Sequence, residues 1–136
     1  MSIDRIPVLV EHAAGALTGN AVAVLREVAG YLTELAEGGG GGIIDLAAMP
    51  LSPADKAWLA TQLDEGEVTV TLSLDGPSDV RETGFAGVWW LLHRNPEGVV
   101  TGEFIEVCRV PELVMAPLDD IISGSERLNF LMGDLC

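Results

Sequence analysis

The sequence is poor in the residues from which reactive sites are built. It holds two cysteines, Cys108 and Cys136, and two histidines, His12 and His93. Two thiols, one of them the last residue, supply neither a disulfide framework nor a four-thiolate site within one chain. The histidines stand far apart with no ligand-like spacing around them, which argues against a resident zinc, nickel or iron–sulfur group. Cys136 reads as an exposed tail thiol and Cys108 as a buried strand residue. Cations are equally scarce. Seven Lys and Arg face 21 Asp and Glu, for a formal charge of −14. The seven are scattered from Arg5 to Arg127, so there is no basic stripe for nucleic acid or for an anionic membrane. Such a balance either serves solubility alone or attracts a basic protein partner. No apolar run approaches the roughly 20 residues a bilayer requires. Asp4 and Glu11 interrupt the N-terminal apolar stretch where a signal peptide would be continuous, so a reducing cytoplasm is the expected location. No nucleophile elbow or Ser/His/Asp arrangement is visible, and Asp119-Asp120 reads as a solvated or capping pair rather than an acid/base couple. The expectation is a non-enzyme without cofactor.

Apolar material is abundant, at 49% of 136 residues. A single chain of this length hides roughly two thirds of its extended surface, enough for one core. The expected unit is one domain over residues 1–136, with residues 1–18 as an N-terminal arm in which Ile6-Pro7-Val8-Leu9-Val10 reads as a strand or an extended segment. Asn20 to Glu37 carries a helical stripe of Ala21, Leu25, Val28, Leu32 and Leu35. Gly38 ends it. The glycines 38–42 read as a flexible turn, since a phosphate loop would need a Lys-Ser/Thr pair and the strand-to-helix order. Ile43-Ile44-Asp45-Leu46 reads as a short buried strand. Ser52-Pro53-Ala54-Asp55 then has the capping Ser, first-turn Pro and following acid of a helix start, and this helix should run to about Leu63.

Beyond Gly66 the period changes to two. Val68, Val70, Leu72 and Leu74 alternate with Glu67, Thr69, Thr71 and Ser73, predicting a strand with one covered and one wet face. Asp75 to Ser78 reads as a turn. Val80 to Thr83 and Gly87 to Arg94 read as two strands or one bent strand. After the turn at Asn95 to Gly98, Val99 to Val110 should pair back as a hairpin. Past Pro111 only short helical turns are indicated, near 113–115, 118–122 and 126–132. The predicted class is α+β: a largely antiparallel sheet of four or five strands with two main helices on one face. Leu25, Val28, Leu32, Trp58, Val70 and Leu72 should share one core cluster.

The segment Glu82-Thr83-Gly84-Phe85-Ala86-Gly87-Val88-Trp89-Trp90 stands out. On a strand, Trp89 shares a side with Leu91 and His93, while Trp90 shares the other with Val88 and Leu92. Both indoles cannot enter one helix-covered core. One therefore faces an open sheet side, a subunit interface or a peptide groove, unless a C-terminal segment covers it.

The same residues carry a family resemblance. Ile44-Asp45-Leu46 through Met49-Pro50-Leu51, Gly66-Glu67-Val68, Glu82-Thr83 with Gly87-Val88-Trp89-Trp90, Ile105-Glu106-Val107 and Pro111 resemble, in order and spacing, the conserved C-terminal region of the HupH/HyaF hydrogenase-expression proteins. The likeness spans roughly Asn20 to Ile122 of a chain shorter than the family members. It implies a cytoplasmic, non-catalytic, chaperone-like role in maturing nickel–iron hydrogenase, by binding the small-subunit precursor before twin-arginine export. The alternatives are a dimeric scaffold bridging other maturation proteins and a metal-handling protein. Trp89, Trp90, Glu82, Thr83, Glu67 and Asp45 are the candidate partner-binding residues. Purified protein is expected to carry no stoichiometric metal and no iron–sulfur absorption. About one nickel, zinc or iron per chain by plasma mass spectrometry, lost on Cys108→Ser or His93→Ala, would show that expectation wrong.

Overall fold

The computed structural model describes residues 16–135; Ile6 to Val10, His12 and Cys136 lie outside them. Helix α1 (Gly19–Ala36) opens on Thr18, whose hydroxyl accepts from the Asn20 amide. It closes in a Schellman turn: the Gly39 amide donates to Glu34 O at 2.8 Å and that of Gly38 to Leu35 O at 3.1 Å. Gly38 adopts φ 92°, a region costly for any residue with a Cβ. The glycine run is thus a built turn. At Gly41 a Cβ would collide with the carbonyl oxygen of Val107.

Strand β1 (Gly42–Asp45) follows, then a 3₁₀ turn over Leu46–Ala48 capped by the Asp45 carboxylate. Helix α2 (Pro53–Leu63) has the predicted capping box, with the Asp55 amide donating to Ser52 Oγ and the Ser52 amide to Asp55 Oδ2. Strands β2 (Thr69–Leu74), β3 (Gly76–Glu82), β4 (Val88–Arg94) and β5 (Val100–Val107) complete a five-stranded antiparallel sheet in the order β1-β5-β4-β3-β2. The class is α+β, as the residue periods predict. Gly76, Pro77 and Ser78 already belong to β3, so the turn before it is tighter than its composition indicates. Val80 to Glu82 lies in β3 and Val88 to Arg94 is β4, two paired strands rather than one bent one, with Thr83 and Gly87 in the loop between them.

The sheet is apolar on both faces. Ile44, Val88, Trp90, Ile105 and Val107 pack with Ala21, Val24 and Val28 of α1 and Leu59 and Leu63 of α2. Val80, Trp89 and Leu91 form a second cluster on the other face, with Val70, Leu72, Phe104 and Val114 against it. The expected single cluster is therefore corrected: Leu25, Val28, Leu32 and Trp58 join the helix side, and Val70 and Leu72 the far side. Register gives the reason, because Val70 pairs with Val80 and Val80 with Leu91, while Thr69 pairs with Arg81 and Arg81 with Trp90. Alternation fixes which residues share a face, not which face receives the helices.

The C-terminal region also differs from expectation. A 3₁₀ turn over Glu112–Val114 leads to one continuous helix, α3 (Leu118–Leu135), where separate short turns were expected. Ser123-Gly124-Ser125 carries weak helix formers but does not break it. No described helix is long and apolar enough to cross a membrane.

Asp55 ties the two core helices together. It is fully buried, and its carboxylate accepts from the Thr18 amide and hydroxyl at 2.7 Å each and from the Ser52 amide at 2.9 Å. Desolvation works to raise its pKa, but the bonds from Thr18 and Ser52 outweigh it and hold the carboxyl below its ordinary value. A depressed folded-state pKa stabilises above the unfolded value, so this contribution is complete above about pH 4 and fades as pH falls through the folded pKa. Asp55→Ala should cost more than the ~1 kcal/mol of an ordinary helix cap, because three donors lose their acceptor. Asp55→Asn should flatten the acid limb of stability, measured by urea titration at stepped pH.

Candidate functional site

The segment that stands out in the sequence is the β3–β4 loop and the strand that follows. Thr83 is buried, and it organises the loop. Its amide donates to Val88 O at 2.9 Å, and its hydroxyl accepts from the Phe85 amide at 3.2 Å. The Gly84 amide donates to Leu63 O at 2.8 Å, pinning the loop to the end of α2. Gly87 takes φ 88° under the Leu35 and Leu32 side chains. These bonds hold Phe85 half out in solvent, 50% exposed. Beside it lies an apolar groove of about 240 Å³, lined by Leu25, Val28, Ala29, Leu32, Leu63 and Val88. Asp64 and Glu65, both exposed, follow directly on Leu63.

A second cavity, only about 60 Å³, is lined by Ala60, Asp64, Glu65, Arg81, Glu82 and Trp90 among others. Arg81 approaches Glu65 at 3.7 Å across an exposed surface, an ion pair of little energetic weight.

Neither indole is exposed: of the two arrangements expected, an open side for one ring or cover by a C-terminal segment, the structure has the second. Trp89 is 7% and Trp90 6% accessible, each in its own cluster. Trp90 Nε1 donates to Glu103 Oε2 at 2.9 Å, and Glu103 Oε1 meets Lys56 Nζ at 3.0 Å, so the ring is tied through β5 to α2. Trp89 Nε1 donates to Cys108 O at 3.1 Å, and Val114 packs against its cluster. The segment after β5 is what covers it.

The structure brings Glu82, Thr83 and Trp90 together around the smaller cavity. Glu67 is exposed just before β2. Asp45 is at the opposite sheet edge, on β1, where its carboxylate accepts from the Ala47 and Ala48 amides. Phe85 escaped the sequence reading. The only signal for it was an aromatic residue between two loop glycines.

Among the described residues no three His, Cys, Asp or Glu side chains gather as metal ligands would. His93 contacts Ser78 Oγ at 2.8 Å and stands 5.8 Å from the Phe104 ring, which accounts for it structurally. Burial, reinforced by the neighbouring Glu106, pushes the Cys108 thiol up to about 12. Burial also raises Glu106, with Glu112 adding to the shift and Cys108 opposing it.

Residues 18–134 match the family described as HupH hydrogenase expression protein, C-terminal conserved region. The chain belongs to this family. HupH-type relatives include the hydrogenase expression/formation protein HupH of Rhizobium leguminosarum bv. viciae, 29% identical over 90% of this chain and 44% of its own length. HoxQ of Azotobacter vinelandii is 35% identical over 62% of the chain and 30% of its length. The hydrogenase-1 operon protein HyaF of Escherichia coli K12 is 29% identical over 63% and 30%. The chain thus spans less than half the length of these curated relatives. The solved structure of hydrogenase expression protein HupH from Thiobacillus denitrificans is 50% identical, superposes with a TM-score of 0.82, and covers 88% of this chain and 99% of its own. The HupH-type domain is therefore seen in that structure at about this length.

With its thiol pKa near 12, Cys108 should resist thiol reagents at neutral pH in the folded state. Mass-spectrometric mapping after iodoacetamide should find it unmodified in native protein and labelled in urea. Rapid native labelling would show the site to be open.

Proposed function

We propose that this chain is a non-catalytic accessory factor in the maturation of nickel–iron hydrogenase, and that it binds the hydrogenase small-subunit precursor. The observation that carries this reading is the apolar groove beside half-exposed Phe85, held on a hydrogen-bonded loop within the conserved region of a hydrogenase-expression family. A rigid aromatic at a groove mouth offers contact area at low entropic cost.

Charge bears on the partner. A surface of −14 attracts a basic segment, and the twin-arginine leader of a small-subunit precursor is one. Asp64 and Glu65 follow directly on the groove residue Leu63, and Glu82 precedes the loop, where cations flanking an apolar anchor would meet them. In this reading Phe85 is the anchor, Thr83 holds the loop that carries it, and Trp89 and Trp90 support the strand beneath. Glu67 and Asp45 lie outside the contact.

Titration calorimetry of the precursor, with and without its leader, checks the proposal. Phe85→Ala should weaken binding by about 1–2 kcal/mol while the thermal midpoint stays near wild type, as for other truncated anchors. Salt should chiefly slow association. Unchanged affinity in folded F85A would remove the groove from the interface. No binding by wild type would remove the precursor as partner.

A further inference from the structure

Among the described residues, helix α3 is the one long element whose apolar side chains nothing covers. None of its 18 residues is buried, and Leu118, Ile121, Leu128, Leu131 and Leu135 are each between 51% and 71% exposed. An isolated helix of this length is marginal in water, and Gly124 and Gly133 weaken it further. A helix so composed holds its shape when another surface covers its apolar stripe.

The stripe has the period of a helix-pairing seam. Numbering a heptad from Leu118, the a positions are Leu118, Ser125 and Met132, and the d positions are Ile121, Leu128 and Leu135. The flanking e and g positions hold Ile122 and Asn129, and Gly124 and Leu131. All five ionisable residues, Asp119, Asp120, Glu126, Arg127 and Asp134, fall at b and c, away from the seam. That placement identifies the occupant. A charged partner is selected through e and g charges, and here there are none. Two copies of a chain carrying −14 repel each other and meet at least cost along a strip free of charge, and this strip is free of it. Small Gly124 and Ser125 near the middle of the helix permit close approach of the two axes.

We propose that α3 pairs with α3 of a second copy of this chain, burying the Ile121–Leu128–Leu135 seam in a dimer. This goes beyond the hydrogenase reading and does not depend on it. Salt provides a signature. The two bodies repel, so screening strengthens the pair, opposite to its effect on the capture of a basic segment.

Sedimentation equilibrium of the full chain tests this, at about 100 μM protein, where a weak pair of micromolar affinity is mostly formed. Wild type is expected to be a dimer that tightens with added salt. Leu128→Glu, at d, should raise the dissociation constant at least tenfold, whereas Phe130→Glu, at the outward f position, should leave it unchanged. Leu135→Glu is the second seam variant, should L128E alter the thermal midpoint of the domain. A monomeric wild type, a trimer or larger species, or a dimer indifferent to both seam variants would overturn the proposal. So would equal weakening by F130E.

Discussion

Strand β4 imposes the constraint from which most of the architecture follows. Val88, Trp89, Trp90 and Leu91 are all buried, so the strand is apolar on both sides and requires cover on both. Helices α1 and α2 supply it on one side, and the segment after β5 supplies it on the other. Each indole must also place its N–H, and the two solutions differ. Trp90 uses a carboxylate that in turn pairs with Lys56, which fixes α2 over the sheet. Trp89 uses the Cys108 carbonyl, which fixes the chain just as it leaves β5. Two side chains adjacent in sequence thereby anchor covers that are far apart in sequence.

The Thr18–Asp55–Ser52 bonds act on the same problem at the other end of the helix layer. The N-termini of α1 and α2 share one buried carboxylate, so neither helix moves without breaking charge-assisted bonds. The order of the β3–β4 loop depends on this layer, since Gly84 is bonded to the last turn of α2. The groove beside Phe85 is consequently a property of the packed domain rather than of a mobile loop.

Local rules made much of the fold legible. The Ser52–Asp55 capping box, the Gly38 helix end and the period-two strands are encoded within a few residues and appear where the sequence places them. Long-range choices were not legible. Nothing local tells Val70 and Leu72 which side of the sheet the helices occupy, and nothing near Trp89 announces that residues 108–114 return to cover it. The continuity of α3 was hidden by Ser123-Gly124-Ser125, whose low helix propensity masks an apolar period resuming at Leu128. At the candidate site the motif was legible but its division of labour was not. Thr83 and both indoles are buried, and the side chain left half exposed is that of Phe85.

Two apolar clusters back to back on one sheet have a consequence for how the domain opens. Amides of β4 and β5 lie between both clusters, so their hydrogen bonds are shielded until both covers have been lost. The helix layer and the post-β5 segment each guard one side, and the two clusters have no residue in common. Amide exchange should therefore sort the domain into three grades of protection. The sheet centre exchanges only by global unfolding, and each cover exchanges through an opening of its own.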